Sequence, residues 1–497
     1  MTGQVFPGRR KRRVIYNDDA DQQYTGSRRY GYDIVDNNSF IDSRTTPTFG
    51  THVDTYVWCL GNGSEPPWAG STTLLPSIKS SGMASDLVVD ACHSNGLEVW
   101  GSLRMNDIHD SLRANHLEDT DDPVKARYPD WLLGPLENRK LPEEFSEFYL
   151  WTAFNYALPE VRDYRLAFIE RTASEHDFDG YELDFTSTIY NFPLGEGRQH
   201  SHFMTEFLAD TSAILDSIGK QRGRPYTRVI HVTDSPSTSL DLGLDVATWL
   251  DEGFVDVLVV GMGYTPYALR LDDWLDLARP YGVPVYPSIN TNTFGNAWTK
   301  LHGKPMYHEA LRAVSSYYWQ EGADGLYVFN LFDMRTVSDK RTRPSYMYSE
   351  DSDYIHAPLR EIGDVRELVG RNKLYSIQPV GDRGRHQLGC EPAPLPVALD
   401  RNEHVLPLRI GPDAVDSLAR ISIRVITSGG TKTTSLWIRV NNKLFKPILN
   451  GDSWETDIQP GILRSGENAL AIGCNEPLST TASPVLVHRV FTSAIYT

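Results

Sequence analysis

The segment Asp179-Gly180-Tyr181-Glu182-Leu183-Asp184-Phe185 sets the carboxylates of Glu182 and Asp184 two positions apart. In an extended strand such residues share a face, about 6.6 Å apart along the chain. Crowding two carboxylates raises the pKa of one, which divides them into a protonated acid and an ionised partner. Glycosidic cleavage needs such a pair. Asp184 is expected to be catalytic, as a nucleophile or as the charge that stabilises an oxocarbenium-like transition state. Glu182, one pleat deeper, is either a catalytic carboxyl or a structural partner of Arg104.

A second group lies in Arg104-Met105-Asn106-Asp107-Ile108-His109-Asp110. Asp107 is the next candidate for a catalytic carboxyl, and Arg104, Asn106 and His109 are candidates for substrate binding. An unpaired buried guanidinium is costly, so Arg104 is expected to be held by an acid, Glu182 foremost. Asn17, Asp18 and Asp19, at the end of the first strand, either bind sugar hydroxyls or cap the segment that follows, and Asp19 is the candidate carried forward for substrate binding. His231, Asn290, Asn330 and Asp333 end other apolar runs and are expected to line the same pocket. Trp58, Trp151 and Tyr264 offer rings for stacking on a sugar or for packing. Asp234, in Asp-Ser-Pro, reads as a turn or helix cap and stands behind the others as a carboxyl partner.

These residues need a frame that brings them together. The first three quarters of the chain alternate apolar strand-like runs with amphipathic helical stretches, the pattern of parallel β/α units. Eight candidate strands fall at residues 13–18, 55–60, 97–106, 179–185, 228–234, 255–262, 283–290 and 325–332. Helical stretches are expected at 161–176, 201–218, 274–281 and 307–320, with a closing helix at 358–372. Eight units in about 350 residues is the arithmetic of a (β/α)8 TIM barrel. The first strand runs into Asn17-Asp18-Asp19 and lacks the Gly-rich turn of a doubly wound nucleotide-binding sheet. Alternation then sorts each strand into two faces. Glu98, Trp100, Ser102, Arg104 and Asn106 share one face of the third strand, and Gly180, Glu182 and Asp184 one face of the fourth. Val229, His231 and Thr233 share a face of the fifth, and Tyr286, Ser288 and Asn290 of the seventh. Polar residues on the inward parity need partners or a solvent-filled site.

From residue 381 to 396 the chain is loop-like, with Pro392, Pro394 and Pro396. Short β-rich runs separated by Gly and Asn turns follow, which predicts a C-terminal all-β sandwich of jelly-roll type. The expected domains are a barrel over residues 1–375 and a sandwich over 376–497, the latter covering a barrel face or binding carbohydrate.

The chain has 497 residues and a formal charge of −17, which disfavours a nucleic-acid partner whose phosphates would be repelled. No apolar run approaches the roughly 20 residues that span a bilayer, so no membrane partner is expected. The 25 Tyr, 18 Phe and 11 Trp suit a sugar-binding surface as well as a large core. Cys59, Cys92, Cys390 and Cys474 are widely spaced and form no Cys-x-x-Cys pair, which speaks against a zinc knuckle or a thioredoxin motif, and a disulfide framework is not indicated. No metal or other cofactor is expected. The basic start, residues 9–13, lacks the apolar stretch of an intact secretory signal, which fits a cytoplasmic protein or a secreted one whose signal has been removed. Oligomeric state is left open.

With its residues in view, Asp179–Phe185 resembles the fourth-strand DGxxLD segment of barrel glycoside hydrolases. Together with residues 104–110, 155–172 and 244–261, it resembles the family-10-like glycosyl hydrolases of bacteria over roughly residues 10–375. That resemblance implies a TIM-barrel glycosidase acting on a poly- or oligosaccharide. The segment is also similar to the DGxDxDxE strand of chitinases, on which Glu182 and Asp184 match the two inner acids. The terminal proton-donating Glu falls on Thr186, which argues against chitinase chemistry. Other readings are a catalytically inactive glycan-binding barrel, a sugar lyase or isomerase, and a metal-dependent barrel hydrolase. The last would usually show His-x-His on the first strand, where this chain has Asn17-Asp18-Asp19.

Overall fold

A computed structural model of the chain describes residues 10–24, 33–61, 75, 77–112, 114–262, 268–290, 306–331, 352–378, 387–399, 402–412, 419–430, 434–475 and 484–496. Tyr264 and Asp333 lie outside the described residues. Eight parallel strands close into a barrel in chain order: β1 (Val14–Asp18), β2 (Val53–Cys59), β3 (Glu98–Arg104), β4 (Gly180–Asp184), β5 (Thr227–Val232), β6 (Val257–Val260), β7 (Val285–Asn290) and β8 (Leu326–Phe329). The predicted TIM barrel is therefore present, and each expected strand overlaps an observed one.

Helices return the chain outside the barrel. Pro159–Glu175 starts with proline at a position that needs no N–H donor. Gly197–Arg222 ends in a basic turn and at Gly223, whose φ of 76° is the left-handed stop that glycine takes without strain. Among the described residues no helix is long and apolar enough to cross a membrane. The expected helix at 358–372 is corrected. The span holds instead the end of a 3-10 turn at Ala357–Arg360 and the short helix Val365–Leu368, whose N-cap Asp364 accepts from the Arg366 amide.

Alternation places Ile15, Val57, Trp100, Val229, Val257, Val259, Tyr286, Tyr327 and Phe329 in one cluster inside the barrel. Their neighbours Tyr16, Tyr56, Tyr181, Leu183, Ile230 and Val232 join the separate core beneath the helices. Gly180 has a steric reason. A Cβ there would lie 2.5 Å from Cδ1 of Trp100, so the indole fills the barrel floor only because residue 180 has no side chain.

The C-terminal strands form two antiparallel sheets. One contains β10 (Val397–Leu399), β12 (Arg420–Ser428), β15 (Ile448–Asn450), β16 (Ser453–Ile458) and β18 (Val485–Ile495), in the order β10-β18-β12-β16-β15. The other runs β11 (His404–Ile410), β17 (Gly466–Cys474), β13 (Leu436–Val440) and β14 (Lys443–Phe445). β9 (Lys373–Ile377) pairs with β18, so the first sandwich strand begins before the boundary expected at 375/376. The helix Tyr307–Glu321 packs on β9, and Gly411 sits where a Cβ would lie 2.2 Å from Oγ of Ser316.

Candidate active site at the barrel mouth

The C-terminal ends of the strands hold a layer of buried polar groups above Trp100. Glu182 of β4 is fully buried, and its Oε2 accepts from the hydroxyl of Tyr327 at 3.1 Å. Its Oε1 has no partner. Burial, and then the charge of Asp184, push the Glu182 carboxyl up to about 8, against the hydroxyls of Ser102 and Tyr327. Asn17 Oδ1 and Ser288 Oγ, on the inward parity of β1 and β7, are also buried without partners. Such atoms are rare in a finished core and mark a place where water or a ligand completes the bonding.

Asp184 is bound differently. Its Oδ1 accepts from the Thr186 amide and hydroxyl, both at 2.7 Å, and from the Ser187 amide at 3.2 Å. Its Oδ2 accepts from the Ser187 hydroxyl. The turn after β4 thus wraps the carboxylate in donors, the bonding of an anion. Thr186, which stands where the chitinase strand carries its acid, serves as one of these donors. His231 of β5 directs Nε2 to the Gly261 carbonyl at 2.9 Å and Nδ1 towards Thr186 Oγ1 at 3.4 Å. A carbonyl only accepts, so Nε2 carries the proton. Burial lowers the His231 pKa, against the charge of Asp184 and the Gly261 carbonyl.

Arg104 overturns one expectation. Its guanidinium binds Asp19 through Nη2 and Asp107 through Nη1, the latter at 2.9 Å, and Glu182 is not the acid that holds it. Strand register explains the choice. Arg104 lies level with Asp184, one pleat above Glu182, where the ends of β1 and β3 supply closer acids. Asp107 is held well below the ordinary carboxylate range, because His109 and Arg104 outweigh its burial. His109 Nδ1 lies 2.6 Å from Asp107 Oδ1. Asp19 is pushed up to about 6 by burial, against Arg104 and with Asp21 and Asp18 adding to the rise. Its side chain is 12% exposed, more than Arg104 or Asp107 beside it, so it is the member of this trio open to the mouth.

Other expected site residues divide. Asn290 and Asn330 are buried at the mouth ends of β7 and β8, and Asn330 adopts φ 55°, a conformation asparagine tolerates better than most. Asn106 clasps two loops: its amide donates to the Phe154 and Tyr190 carbonyls, and its oxygen accepts from the Phe154 amide. Trp58 is corrected as a stacking platform. It lies on the helix-facing side of β2, buried, with Nε1 donating to Ser85 Oγ at 3.1 Å. Trp151 is also fully buried. Asp18 faces outward too, binding Arg44 and the Tyr56 hydroxyl. Asp234 does not cap the helix Pro236–Asp241, whose N-cap is Ser235. Tyr327 was not singled out as a site residue, although its inward parity was legible from its neighbours. Among the described residues no group of three or more His, Cys, Asp or Glu side chains is arranged to hold a metal ion.

No family model and no curated protein matches the chain. Solved structures resemble it weakly. An α-amylase of Geobacillus thermoleovorans has 14% identity and a TM-score of 0.45, over 93% of this chain and 99% of that one. An α-amylase of Anoxybacillus has 14% identity and a TM-score of 0.42, over 94% and 98%. A chitinase of Bacillus thuringiensis has 9% identity and a TM-score of 0.41, over 96% and 100%. Likeness at this level says nothing of chemistry, which the mouth's own geometry must supply.

Proposed function

We propose that this chain is a glycoside hydrolase that cleaves a poly- or oligosaccharide at the barrel mouth, in line with the resemblance to family-10-like glycosyl hydrolases. The observation that supports this most is the split pair on β4. Burial pushes the Glu182 carboxyl up to about 8, while Asp184 accepts four hydrogen bonds from the turn after β4. Glycosidic cleavage needs an acid to protonate the leaving oxygen and a carboxylate to face the positive charge that develops at the anomeric carbon. Glu182 is the acid, donating from the carboxyl whose Oε1 has no protein partner. Asp184 is the stabilising carboxylate, because four bonds to the turn fix its position and temper its attack as a nucleophile. Arg104 with Asp19 and Asp107, and His109, Asn290 and Asn330, line the mouth and bind hydroxyls. The proposed substrate is carbohydrate, with no metal or cofactor in the reaction.

The test is a panel of plant, algal and bacterial polysaccharides, with products followed by mass and anomeric form. New reducing ends released by the wild-type chain and lost in Asp184→Asn support the reading. An unsaturated sugar product replaces it with a lyase, and binding without cleavage replaces it with an inactive glycan-binding barrel.

A further inference from the structure

Between β9 and β10, two strands of the same sandwich sheet, residues 387–391 lie against the barrel rim. The Asp234 amide donates to the Gly389 carbonyl at 3.1 Å. Asp234 Oδ2 accepts from the Glu391 amide at 2.9 Å, and Oδ1 from the Met262 amide at 2.9 Å. A Cβ at Gly389 would lie 2.4 Å from Met262 Sδ, 2.9 Å from Ile189 and 3.2 Å from Thr233. Cys390 is buried in one cluster with Met262, Ile189, Tyr190 and Ile108. This strap therefore touches the ends of β5 and β6 and the turn region after β4, where barrel enzymes hold their substrates.

The contacts continue to the candidate site. Met262, clamped by Asp234, follows Gly261, whose carbonyl accepts a hydrogen bond from His231 Nε2. The other nitrogen of that ring faces Thr186 Oγ1, which donates to Asp184. One carboxylate thus joins a loop carried by the C-terminal sandwich to the groups that fix Asp184.

We propose that Asp234 is a positioning residue that locks the strap 387–391 to the barrel rim and, through Gly261-Met262, holds the orientation of His231 beside Asp184. The strap then forms the wall of the sugar cleft on the β4–β6 side, and the active site is composite, complete only with the sandwich's loop in place. This rests on the glycosidase reading for the cleft, but not for the clamp itself.

The two parts are read separately on the full chain, in wild type, Asp234→Ala, Asp234→Asn and Gly389→Val. Amide hydrogen exchange and histidine nitrogen NMR need no substrate. In Asp234→Ala the amides of Met262 and Glu391 should exchange at least tenfold faster, and His231 should lose its fixed Nε2–H tautomer. Asp234→Asn keeps one acceptor and should fall between. Gly389→Val, which leaves Asp234 intact, should open the Glu391 amide and guards against misfolding of the Asp234 variants. On a glycan cleaved by the wild type, Asp234→Ala should lower kcat at least tenfold with a smaller change in KM for short oligosaccharides. Unchanged exchange at both amides overturns the clamp. Faster exchange with His231 and kcat as in wild type overturns the positioning role. If the wild type cleaves no glycan, the glycosidase reading fails, and exchange and the His231 tautomer still decide the clamp.

Discussion

The barrel buries charge at both ends, and the two ends treat it in opposite ways. At the N-terminal end Arg12 binds Glu98 through Nε at 2.5 Å and Nη2 at 2.7 Å, and Thr55 Oγ1 adds a third bond at 2.6 Å. The guanidinium lies 4.8 Å from the centre of the Trp100 ring. Burial alone would raise the Glu98 pKa, but Arg12 overrides it and holds the carboxyl down at about 2. At the mouth, Glu182 is buried on the same inward parity with one oxygen unpartnered, and its carboxyl is pushed up to about 8. A buried carboxylate inside a barrel is therefore no sign of function by itself. The sign is a buried carboxylate whose bonding the protein leaves unfinished.

Substitutions at the two ends should therefore separate turnover from stability. The largest effect belongs to Asp184→Asn, which keeps shape and some hydrogen bonds but removes the charge. Turnover on the glycan substrate should fall by several orders of magnitude while the melting temperature stays near wild type.

Arg104→Ala should lower both quantities, since it strands Asp107 and Asp19 without their shared cation. Activity loss with an unchanged melting temperature would instead make Arg104 a substrate ligand alone. Glu98→Gln should cost about 3–5 kcal/mol of stability by leaving Arg12 buried without its anion, with turnover per folded molecule unchanged. Denaturant unfolding alongside initial rates decides this. The smallest effect is expected for Trp58→Phe, which removes the bond to Ser85. It should cost about 1 kcal/mol and leave glycan affinity as it was, since the ring faces the helices.

Much of the frame was legible because strand alternation is local. The inward parity of Arg104, Glu182, Asp184, His231 and Asn290 follows from counting along each strand. The same count puts Trp58 outside, with Thr55, Val57 and Cys59 as the inward set of β2. The partners of Arg104 were not legible in the same way. They depend on the relative height of β1, β3 and β4, which a single strand does not encode, although Asp107 only three residues away was a hint. The strap at 387–391 was read as a Pro-rich connection, because its contacts with Asp234 and Met262 cross more than 100 residues. The cap of Asp184 by Thr186 and Ser187 was local but masked by the comparison with a strand that carries an acid there.

To act as the acid, Glu182 must hold a proton at neutral pH. Its folded pKa is raised from 4.5 to about 8, so the folded state binds that proton more tightly than the unfolded chain does. Stability from this group should then fall as pH rises from 4.5 towards 8, and Glu182→Gln should lack that slope. The most direct measurement is the pH dependence of turnover by the wild-type chain on its best glycan. Turnover should persist through neutral pH and decline as pH rises through about 8, with the decline absent from the residual activity of Glu182→Gln. A decline that begins near the ordinary glutamate value, or one that Glu182→Gln retains, would contradict the assignment of Glu182 as the acid.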